Sequence, residues 1–268
     1  MTEKAAHDLW DARAASRLKF MQTKKMARFN ALYEDACWRF IKPLLPVGGG
    51  RILEAGCGTG RWVYRLVPLG YRVVLSDFSP EMIRIASEQI DEKKVSDGVE
   101  ACHVLDICDM HTFEDDSFDM ALALGTPVGL CDNPGKAVAE LHRVVEQGGF
   151  VFCDMANRYR RALDLAKEND WAAVVQVLDS GKNQANGGFV SRSFTPKEIR
   201  ELFTACGLQV LHVAAVCPFL SFPPNPDQVA ALEDDAAYAA VRDIFHRFAE
   251  TPEMIHVSTR LLIAGRKI

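Results

Sequence analysis

Apolar and polar positions form two repeating patterns along the chain from Arg51 onward. Short apolar runs of strand length are separated by longer segments with helical or loop patterns. This alternation is typical of a parallel sheet that is covered by helices on both faces. The first five predicted strands are 51–55, 72–76, 102–106, 118–124 and 149–154, and two later strands are predicted near 209–216 and at 257–264.

Three of the predicted helices begin at recognisable capping sequences. Ser79 is followed by proline and glutamate, which gives an N-cap, a proline at the first helical position and an acid in the first turn. Asn133 is likewise followed by proline. Thr195 and Glu198 have the spacing of a capping box, in which two side chains satisfy the first backbone N–H groups. These signals predict where each of the three helices begins.

The alternating pattern is interpreted as one domain, 1–268, with additional segments. Residues 1–45 precede the first strand and have a helical pattern. Residues 157–193 form a helical insertion rich in glycine and asparagine, and residues 217–254 form a proline-rich loop with a helix predicted around 228–249. Insertions in an α/β sheet of this kind usually lie over the ligand crevice.

Composition and charge narrow the class of protein. The net charge of −5 argues against a general nucleic-acid binder. No segment has the pattern of a secretory signal or a membrane span, so a cytoplasmic location is expected. Eight scattered cysteines without C-x-x-C spacing are typical of free thiols in a reducing compartment. No metal site is expected around Cys102, His103 and Cys108, because adjacent strand residues point to opposite faces.

Three glycines in five positions follow the first predicted strand, in the stretch ILEAGCGTGRW at 52–62. Such a loop lets a ligand approach the backbone N–H groups without Cβ contacts, although a tight structural turn would also use glycine. The dinucleotide-binding fingerprint requires a third glycine at the position of Arg61, so that fingerprint is incomplete. The pattern here instead places an acid two residues before three alternate glycines: Glu54, Gly56, Gly58 and Gly60.

This loop resembles motif I of the class I S-adenosylmethionine-dependent methyltransferases, and three later segments resemble the motifs that follow it in that family. RVVLSDFSPEMI ends a strand at Asp77, where a carboxylate can accept hydrogen bonds from both ribose hydroxyls. HVLDICDM puts Asp106 where the family's carboxylate accepts the adenine amino group. DDSFDMALALG resembles the next segment and reaches Leu124, which would lie beneath the cofactor. Four motifs in this order are more specific than a glycine loop alone.

The resemblance implies S-adenosylmethionine as the cofactor and a set of residues that bind it. The glycine loop would wrap the aminoacyl part, with Glu54 associated with the amino end. Phe78 and Met82 would be apolar neighbours of the adenosine. The implied cofactor residues are Glu54, Gly56, Cys57, Gly58, Thr59, Gly60, Asp77, Phe78, Met82, Asp106, Ile107 and Leu124.

The resemblance also implies the fold. It is a single Rossmann-like, doubly wound α/β domain with a mostly parallel seven-stranded sheet and an antiparallel edge strand at 257–264. Members of the family of this size commonly cover the site with N-terminal helices. Residues 1–45 are therefore expected to form a helical lid, with further helical cover from 157–193.

The residues that act on the acceptor are less stereotyped in this family than those that bind the cofactor. Methyl transfer is an in-line displacement that requires alignment, and an acceptor that carries a proton also needs a general base. Asp154 and Tyr159 follow the fifth predicted strand, and His111 follows the third. These three side chains are the candidates, and a packing or surface role competes with the catalytic interpretation for Tyr159 and His111.

The expected function is methyl transfer to a small-molecule acceptor. The segment after the fourth strand, 125–128, lacks the Asn/Asp-Pro-Pro-aromatic run that similar methylases use on nucleic-acid bases. Two alternatives remain open: an RNA methyltransferase, suggested by the basic residues in 12–33, and a non-catalytic cofactor-binding regulator, suggested by the lack of an obvious base. The basic segment is also compatible with a solvated helix face. No nucleic acid and no membrane are expected as partners, and the sequence leaves the oligomeric state open.

Overall fold

The computed structural model describes residue 11 and residues 23–185, 189–220 and 225–268. The strands are β1 Arg51–Ala55, β2 Arg72–Asp77, β3 Val99–Val104, β4 Phe118–Ala123, β5 Val145–Asn157, β6 Lys182–Ala185, β7 Phe189–Phe194, β8 Leu208–Val216 and β9 Arg260–Lys267. The helices are α1 Lys24–Ile41, α2 Val63–Leu66, α3 Pro80–Glu92, α4 Pro127–Leu130, α5 Pro134–Val144, α6 Arg158–Lys167, α7 Trp171–Ser180, α8 Pro196–Ala205, α9 Pro226–Ala231, α10 Asp235–Phe248 and α11 Pro252–Val257.

Eight strands form the main sheet, one more than the seven predicted. Seven of them lie in the order β3-β2-β1-β4-β5-β9-β8, and β7 pairs in parallel with the end of β5. Neighbours among the first five strands pair in parallel, whereas β9 runs antiparallel to both β5 and β8. The predicted Rossmann-like α/β sheet, mostly parallel with an antiparallel strand, is confirmed. The antiparallel strand lies one position in from the edge, because β8 pairs along its outer side.

β5 extends beyond the predicted strand 149–154 at both ends, to Val145–Asn157, and two other strand boundaries differ from the prediction for local reasons. β3 spans residues 99–104 rather than 102–106, since its ladder with β2 ends at the pair Asp77–Val104. β9 begins at Arg260 rather than at 257, because Pro252 opens α11 and that helix continues to Val257. Both shifts preserve the predicted order of elements.

The inserted segments contain more elements than the sequence predicted. In 157–193, a β6–β7 hairpin follows α6 and α7, and β7 pairs with the end of β5 at two positions. The single helix expected at 228–249 is two helices, α9 and α10. The break has a local cause: the side chain of Asp234 accepts a hydrogen bond from the Ala237 N–H at 2.8 Å and starts α10.

The three predicted helix starts are confirmed by their side-chain hydrogen bonds. Ser79 caps α3 by accepting the Met82 N–H at 3.1 Å. Asn133 caps α5 in the same way, and Thr195 forms the complete capping box of α8. The cap of α3 matters for the site, since it fixes the loop after β2.

Apolar side chains pack on both faces of the sheet. The period-two alternation of the strands divides them, so that Ile52 faces one cluster and its neighbour Leu53 the other. On the first face lies α1, with Phe29 and Phe40 buried, and on the second lie α5 and α8. In the part of the chain that the structure describes, no helix is both long and apolar enough to cross a membrane.

Candidate active site

The loop that follows β1 holds three glycines in a backbone conformation that other residues rarely adopt. The φ angles are +65° at Gly56, +55° at Gly58 and +70° at Gly60. A Cβ on Gly56 would lie 2.4 Å from the Cβ of Pro127, so this loop packs tightly against the start of α4. A Cβ on Gly58 would meet no described atom within 4 Å. Among the described residues, none therefore fills the space that faces the centre of the glycine loop.

The two other residues of the loop hold it against the sheet. Cys57 is buried, and its N–H donates to the Ser76 carbonyl at 3.0 Å. The Gly60 N–H closes the turn by donating to the Cys57 carbonyl at 3.0 Å, and Thr59 between them is half-buried. The loop is thus fastened to β2 independently of any ligand.

Glu54 places a carboxylate in the interior, directly before the glycine loop. Its side chain is 2% exposed, and Oε2 has no hydrogen-bond partner among the described residues. Burial raises the pKa of Glu54 to about 8, although Arg61 and the Trp62 N–H act to lower it. Asp77 and Glu34 raise the pKa further. An unmatched buried acceptor is unfavourable, and it fits the amino group of a ligand seated over the loop.

Asp77 ends β2 and ties two loops of the site together. Its Oδ2 accepts the Gly58 N–H at 2.8 Å, and its Oδ1 accepts the Ser79 N–H at 2.9 Å. Phe78, the next residue, is half-buried, and Met82 is buried on the first turn of α3. The acid and the two apolar side chains predicted for the adenosine therefore belong to one strand end and the helix that follows it.

Asp106 lies two residues beyond the end of β3 rather than at the strand end that the sequence predicted. Its Oδ1 accepts the Cys108 N–H at 2.8 Å, which makes a tight turn around the buried Ile107. The Leu105 N–H donates to the Asp77 carbonyl at 3.0 Å, so this turn adjoins the end of β2. Leu124 is buried directly after β4. The implied cofactor residues thus occupy the loops after four neighbouring strands.

Asp154, a candidate for acid–base work, is fully buried and accepts hydrogen bonds from four donors. Its Oδ1 accepts the N–H groups of Gly125 at 2.6 Å and Thr126 at 2.8 Å. Its Oδ2 accepts the Tyr33 hydroxyl at 3.0 Å and the Arg260 Nη1 at 2.9 Å. The two backbone bonds hold the loop after β4, in which Thr126 has a φ of +69°.

The sequence did not predict that Tyr33 and Arg260 contact Asp154. The Arg260 guanidinium also lies 5.3 Å from the centre of the Tyr33 ring, so the two residues and Asp154 form one buried cluster. Burial and the Asp154 charge raise the pKa of Tyr33 well above its ordinary value, so the phenol stays a donor at neutral pH. One signal was available: Arg260 is a charged residue directly before the apolar run 261–265.

The other two candidates for acid–base work have accessible side chains. Tyr159 is 40% exposed at the start of α6, and its ring stacks on that of His256 with 5.8 Å between the centres. His111 is exposed in the segment after β3, and its Nδ1 lies 3.4 Å from Asp109. Asp154 alone among the three candidates is hydrogen-bonded to the loop after β4.

The N-terminal helix α1 is part of the core and reaches the site. Met26 and Phe29 are buried, and Glu34 forms ion pairs with Arg61 at 3.9 Å and Arg65 at 3.4 Å, just beyond the glycine loop. The predicted lid of residues 1–45 thus includes a packed helix. Nearer the N-terminus, Asp11 accepts the Ser79 hydroxyl at 2.5 Å.

The basic N-terminal segment is described only in part. Arg13, Arg17 and Lys19 lie outside the described residues, as do the side chains of Lys24 and Lys25. Arg28 donates to the Leu232 carbonyl at 2.8 Å and pairs with Asp235. This guanidinium therefore joins α1 to α10 within the protein.

Comparisons with known proteins find relatives for the segment that runs from β1 into β5 and, at lower identity, for most of the chain. Residues 53–153, from β1 into β5, match the family model described as "Methyltransferase domain". Demethylmenaquinone methyltransferase of Clavibacter sepedonicus is 32% identical over 153 residues, which cover 54% of this chain and 60% of that protein. Ubiquinone biosynthesis O-methyltransferase of Maricaulis maris is 26% identical over 234 residues, 86% of this chain and 85% of that protein.

Solved structures share the fold along most of the chain. A SAM-dependent methyltransferase of Methanosarcina mazei has a TM-score of 0.63 and 19% identity, and the match covers 85% of this chain and 97% of that one. A SAM-dependent methyltransferase of Thermotoga maritima has a TM-score of 0.62 and 19% identity, with 97% and 99% covered. The implied cofactor residues from Gly56 to Leu124 lie within the matched domain. Residues 53–153 are therefore a methyltransferase domain, and the fold of the chain is one that it shares with SAM-dependent methyltransferases.

Proposed function

We propose that the protein transfers a methyl group from S-adenosylmethionine to a small-molecule acceptor. The observation that carries the proposal is the buried Glu54 carboxylate, whose Oε2 has no partner among the described residues and which ends four residues before Gly58, where a Cβ would meet no described atom within 4 Å. Relatives named for demethylmenaquinone and for ubiquinone biosynthesis support a small-molecule acceptor. The eight free cysteines support action in the reducing cytoplasm.

Each part of the site would bind one part of the cofactor, which supplies the electrophilic methyl group. Glu54 would accept hydrogen bonds from the amino group, and the glycine loop would enclose the aminoacyl chain. Asp77 would accept bonds from the ribose, since a carboxylate offers about four acceptor positions. Asp106 would accept a hydrogen bond from the adenine amino group, and Ile107 would be an apolar neighbour of the adenine.

The acceptor would lie over the loop after β4, which Asp154 holds in place. Asp154 already accepts four hydrogen bonds, so we assign it to positioning this loop rather than to removing a proton. A fixed loop lets the acceptor atom be aligned with the breaking bond, which lowers the barrier of an in-line displacement. Tyr159 and His111 remain the candidates for a base, because their side chains are accessible.

The proposal is tested by transfer of tritium from methyl-labelled S-adenosylmethionine into an extract of cell metabolites, followed by mass identification of the product. A labelled small molecule supports the proposal. The Gly58→Val protein is the control, and it should transfer no label. Binding of S-adenosylhomocysteine without transfer to any acceptor would contradict it in favour of a regulator. Strong salt-sensitive RNA binding with labelled RNA would contradict it in favour of an RNA methyltransferase.

Binding of S-adenosylhomocysteine is expected to tighten as the pH rises from about 6 to 8. Glu54 has a pKa of about 8 without ligand, so it is largely protonated at pH 6. The ligand's ammonium group favours the ionised carboxylate, so binding releases a proton and strengthens by up to about tenfold per pH unit until the pH passes 8. Calorimetry in buffers of different ionisation enthalpy measures both effects. The Glu54→Gln protein should lose the proton release, and an equal release from that protein would contradict the assignment.

We propose that residues 1–45 and 157–193 close over the acceptor as a lid. Within the first segment, α1 is packed into the core, and residues 1–10 and 12–22 lie outside the described residues. The contact of Asp11 with Ser79, the cap of the helix after Asp77, supports closure of the N-terminal part over the adenosine. Hydrogen exchange should slow in both segments when S-adenosylhomocysteine is added, because closure protects backbone N–H groups from water. Strands β1 and β2 should already be protected without ligand. Unchanged exchange in both segments would contradict the lid.

A further inference from the structure

Tyr33, in the middle of α1, has a buried side chain that contacts three other parts of the fold. Its hydroxyl donates a hydrogen bond of 3.0 Å to Asp154 Oδ2 on β5. The guanidinium groups of Arg61 and Arg260 each lie 5.3 Å from the centre of its ring. One side chain of the N-terminal helix thus touches the residue after the glycine loop, the end of β5 and the start of β9.

Two consecutive residues of α1 reach the two sides of the proposed site. Glu34 forms ion pairs with Arg61 at 3.9 Å and Arg65 at 3.4 Å, beside the glycine loop that is assigned to the cofactor. Tyr33 is bonded to Asp154, the carboxylate that holds the loop after β4. The helix α1 therefore connects the cofactor side of the site to the side assigned to the acceptor.

The orientation of the Asp154 carboxylate depends on the donors at both of its oxygens. Oδ1 accepts the N–H groups of Gly125 at 2.6 Å and Thr126 at 2.8 Å. Oδ2 accepts the Tyr33 hydroxyl at 3.0 Å and the Arg260 Nη1 at 2.9 Å. The bond that joins a carboxylate to its Cβ rotates over a broad range, so the donors at Oδ2 fix the direction of Oδ1. The Tyr33 hydroxyl is one of the two groups that aim Oδ1 at the loop.

The loop that Asp154 holds has a backbone conformation that needs support. Thr126 has a φ of +69°, which a β-branched residue rarely adopts. The next residue, Pro127, packs against the glycine loop, where a Cβ on Gly56 would lie 2.4 Å from its own Cβ. A displacement of this loop would therefore alter its distance from the glycine loop and, with it, the proposed place of the acceptor.

We propose that Tyr33 is a positioning residue for methyl transfer, which acts through Asp154 on the loop after β4; this rests on the proposed function. In the reaction, the acceptor lone pair forms a bond to the methyl carbon while the carbon–sulfur bond breaks and the sulfur keeps that electron pair. A proton on the acceptor atom, where there is one, leaves to a base. The displacement is fast only when the acceptor atom is aligned with the breaking bond, and Tyr33 preserves that alignment by holding the loop.

The test compares the full-length Tyr33→Phe and Tyr71→Phe proteins. Tyr33→Phe removes the hydroxyl but keeps the ring and the ion pair between Asp154 and Arg260. Tritium transfer from saturating methyl-labelled S-adenosylmethionine into the metabolite extract should slow by about tenfold, the size of one lost hydrogen bond to a charged group. Affinity for S-adenosylhomocysteine should change by no more than about twofold, because no proposed cofactor contact uses this hydroxyl.

Tyr71→Phe is the matched control. Tyr71 is also buried, and its hydroxyl donates to the Pro46 carbonyl at 2.7 Å, but it precedes β2 at the opposite end of that strand from Asp77. Each variant loses one buried hydrogen bond, so both should have a lower thermal stability than the parent. Only Tyr33→Phe should transfer the methyl group more slowly.

A second measurement needs neither cofactor nor acceptor. Hydrogen exchange at the Gly125 and Thr126 N–H groups, resolved by NMR, should be about tenfold faster in Tyr33→Phe than in the parent and unchanged in Tyr71→Phe. Unchanged exchange at both groups in Tyr33→Phe overturns the inference, as does equal slowing of transfer in the two variants. A parent protein that transfers no label overturns the proposed function instead, and the exchange rates still show whether Tyr33 holds the loop.

Discussion

Replacing Gly58 by valine is expected to weaken the binding of S-adenosylhomocysteine by about a hundredfold or more. The new side chain would enter the space in which a Cβ now meets no described atom within 4 Å, and that is the space assigned to the ligand. When the ligand is bound, the valine side chain would overpack this space, which costs up to about 3 kcal/mol. Every 1.4 kcal/mol corresponds to about tenfold in affinity. Calorimetry of the folded variant measures the loss.

The matched control for this substitution is Gly70→Val. Gly70 also has a positive φ, +87°, and a Cβ there would also meet no described atom within 4 Å. It precedes β2, at the opposite end of that strand from Asp77, so its substitution adds the same kind of backbone strain outside the site. Equal affinity of the Gly58→Val and Gly70→Val proteins would contradict the placement of the cofactor.

The Asp77→Ala protein is expected to bind S-adenosylhomocysteine about ten- to a hundredfold more weakly than the parent. The substitution removes the proposed ribose acceptor and also the carboxylate that holds Gly58 and Ser79. Asp106→Ala should have a smaller effect, about tenfold, because Asp106 orders only the short turn at Cys108. Calorimetry of the two variants gives the order of the effects.

Asp119→Ala separates a loss of binding from a loss of stability. The Asp119 carboxylate also accepts a backbone N–H, that of Arg51 at 2.7 Å, but Arg51 begins β1 and so lies at the far end of that strand from the glycine loop. We expect this variant to lose stability while keeping its affinity. If Asp77→Ala and Asp119→Ala weaken binding equally, Asp77 affects binding only by stabilising the fold, and its proposed contact with the ribose is contradicted.

The local parts of the fold could be predicted from the sequence, because their causes lie within a few residues. Ser79 and Thr195 cap the helices that they directly precede. The adjacent apolar residues Ile52 and Leu53 point to opposite faces of a strand, so their sequence already indicates a strand that is buried on both faces. The glycine loop was recognisable for the same reason, since its conformation depends on three residues in five positions.

The remaining features depend on contacts between distant positions. Asp154 was identified as a candidate residue, but its partners Tyr33 and Arg260 lie 121 and 106 positions away, and no spacing links them. The end of β3 was misplaced because pairing with β2, not local propensity, ends the strand. The β6–β7 hairpin was not predicted, because glycine and asparagine in that segment are typical of a loop.

The place of β9 in the sheet has a consequence for biosynthesis. β9 follows the other described strands along the chain and so leaves the ribosome after them, yet it fills the gap between β5 and β8. Until residues 260–267 emerge, residues 150–156 of β5 have an open edge on that side, and β8 has no place in the sheet. An open strand edge invites pairing with other chains, and long-range strand pairing is slow. Nascent chains halted before Arg260 should therefore be more dependent on chaperones than the finished protein.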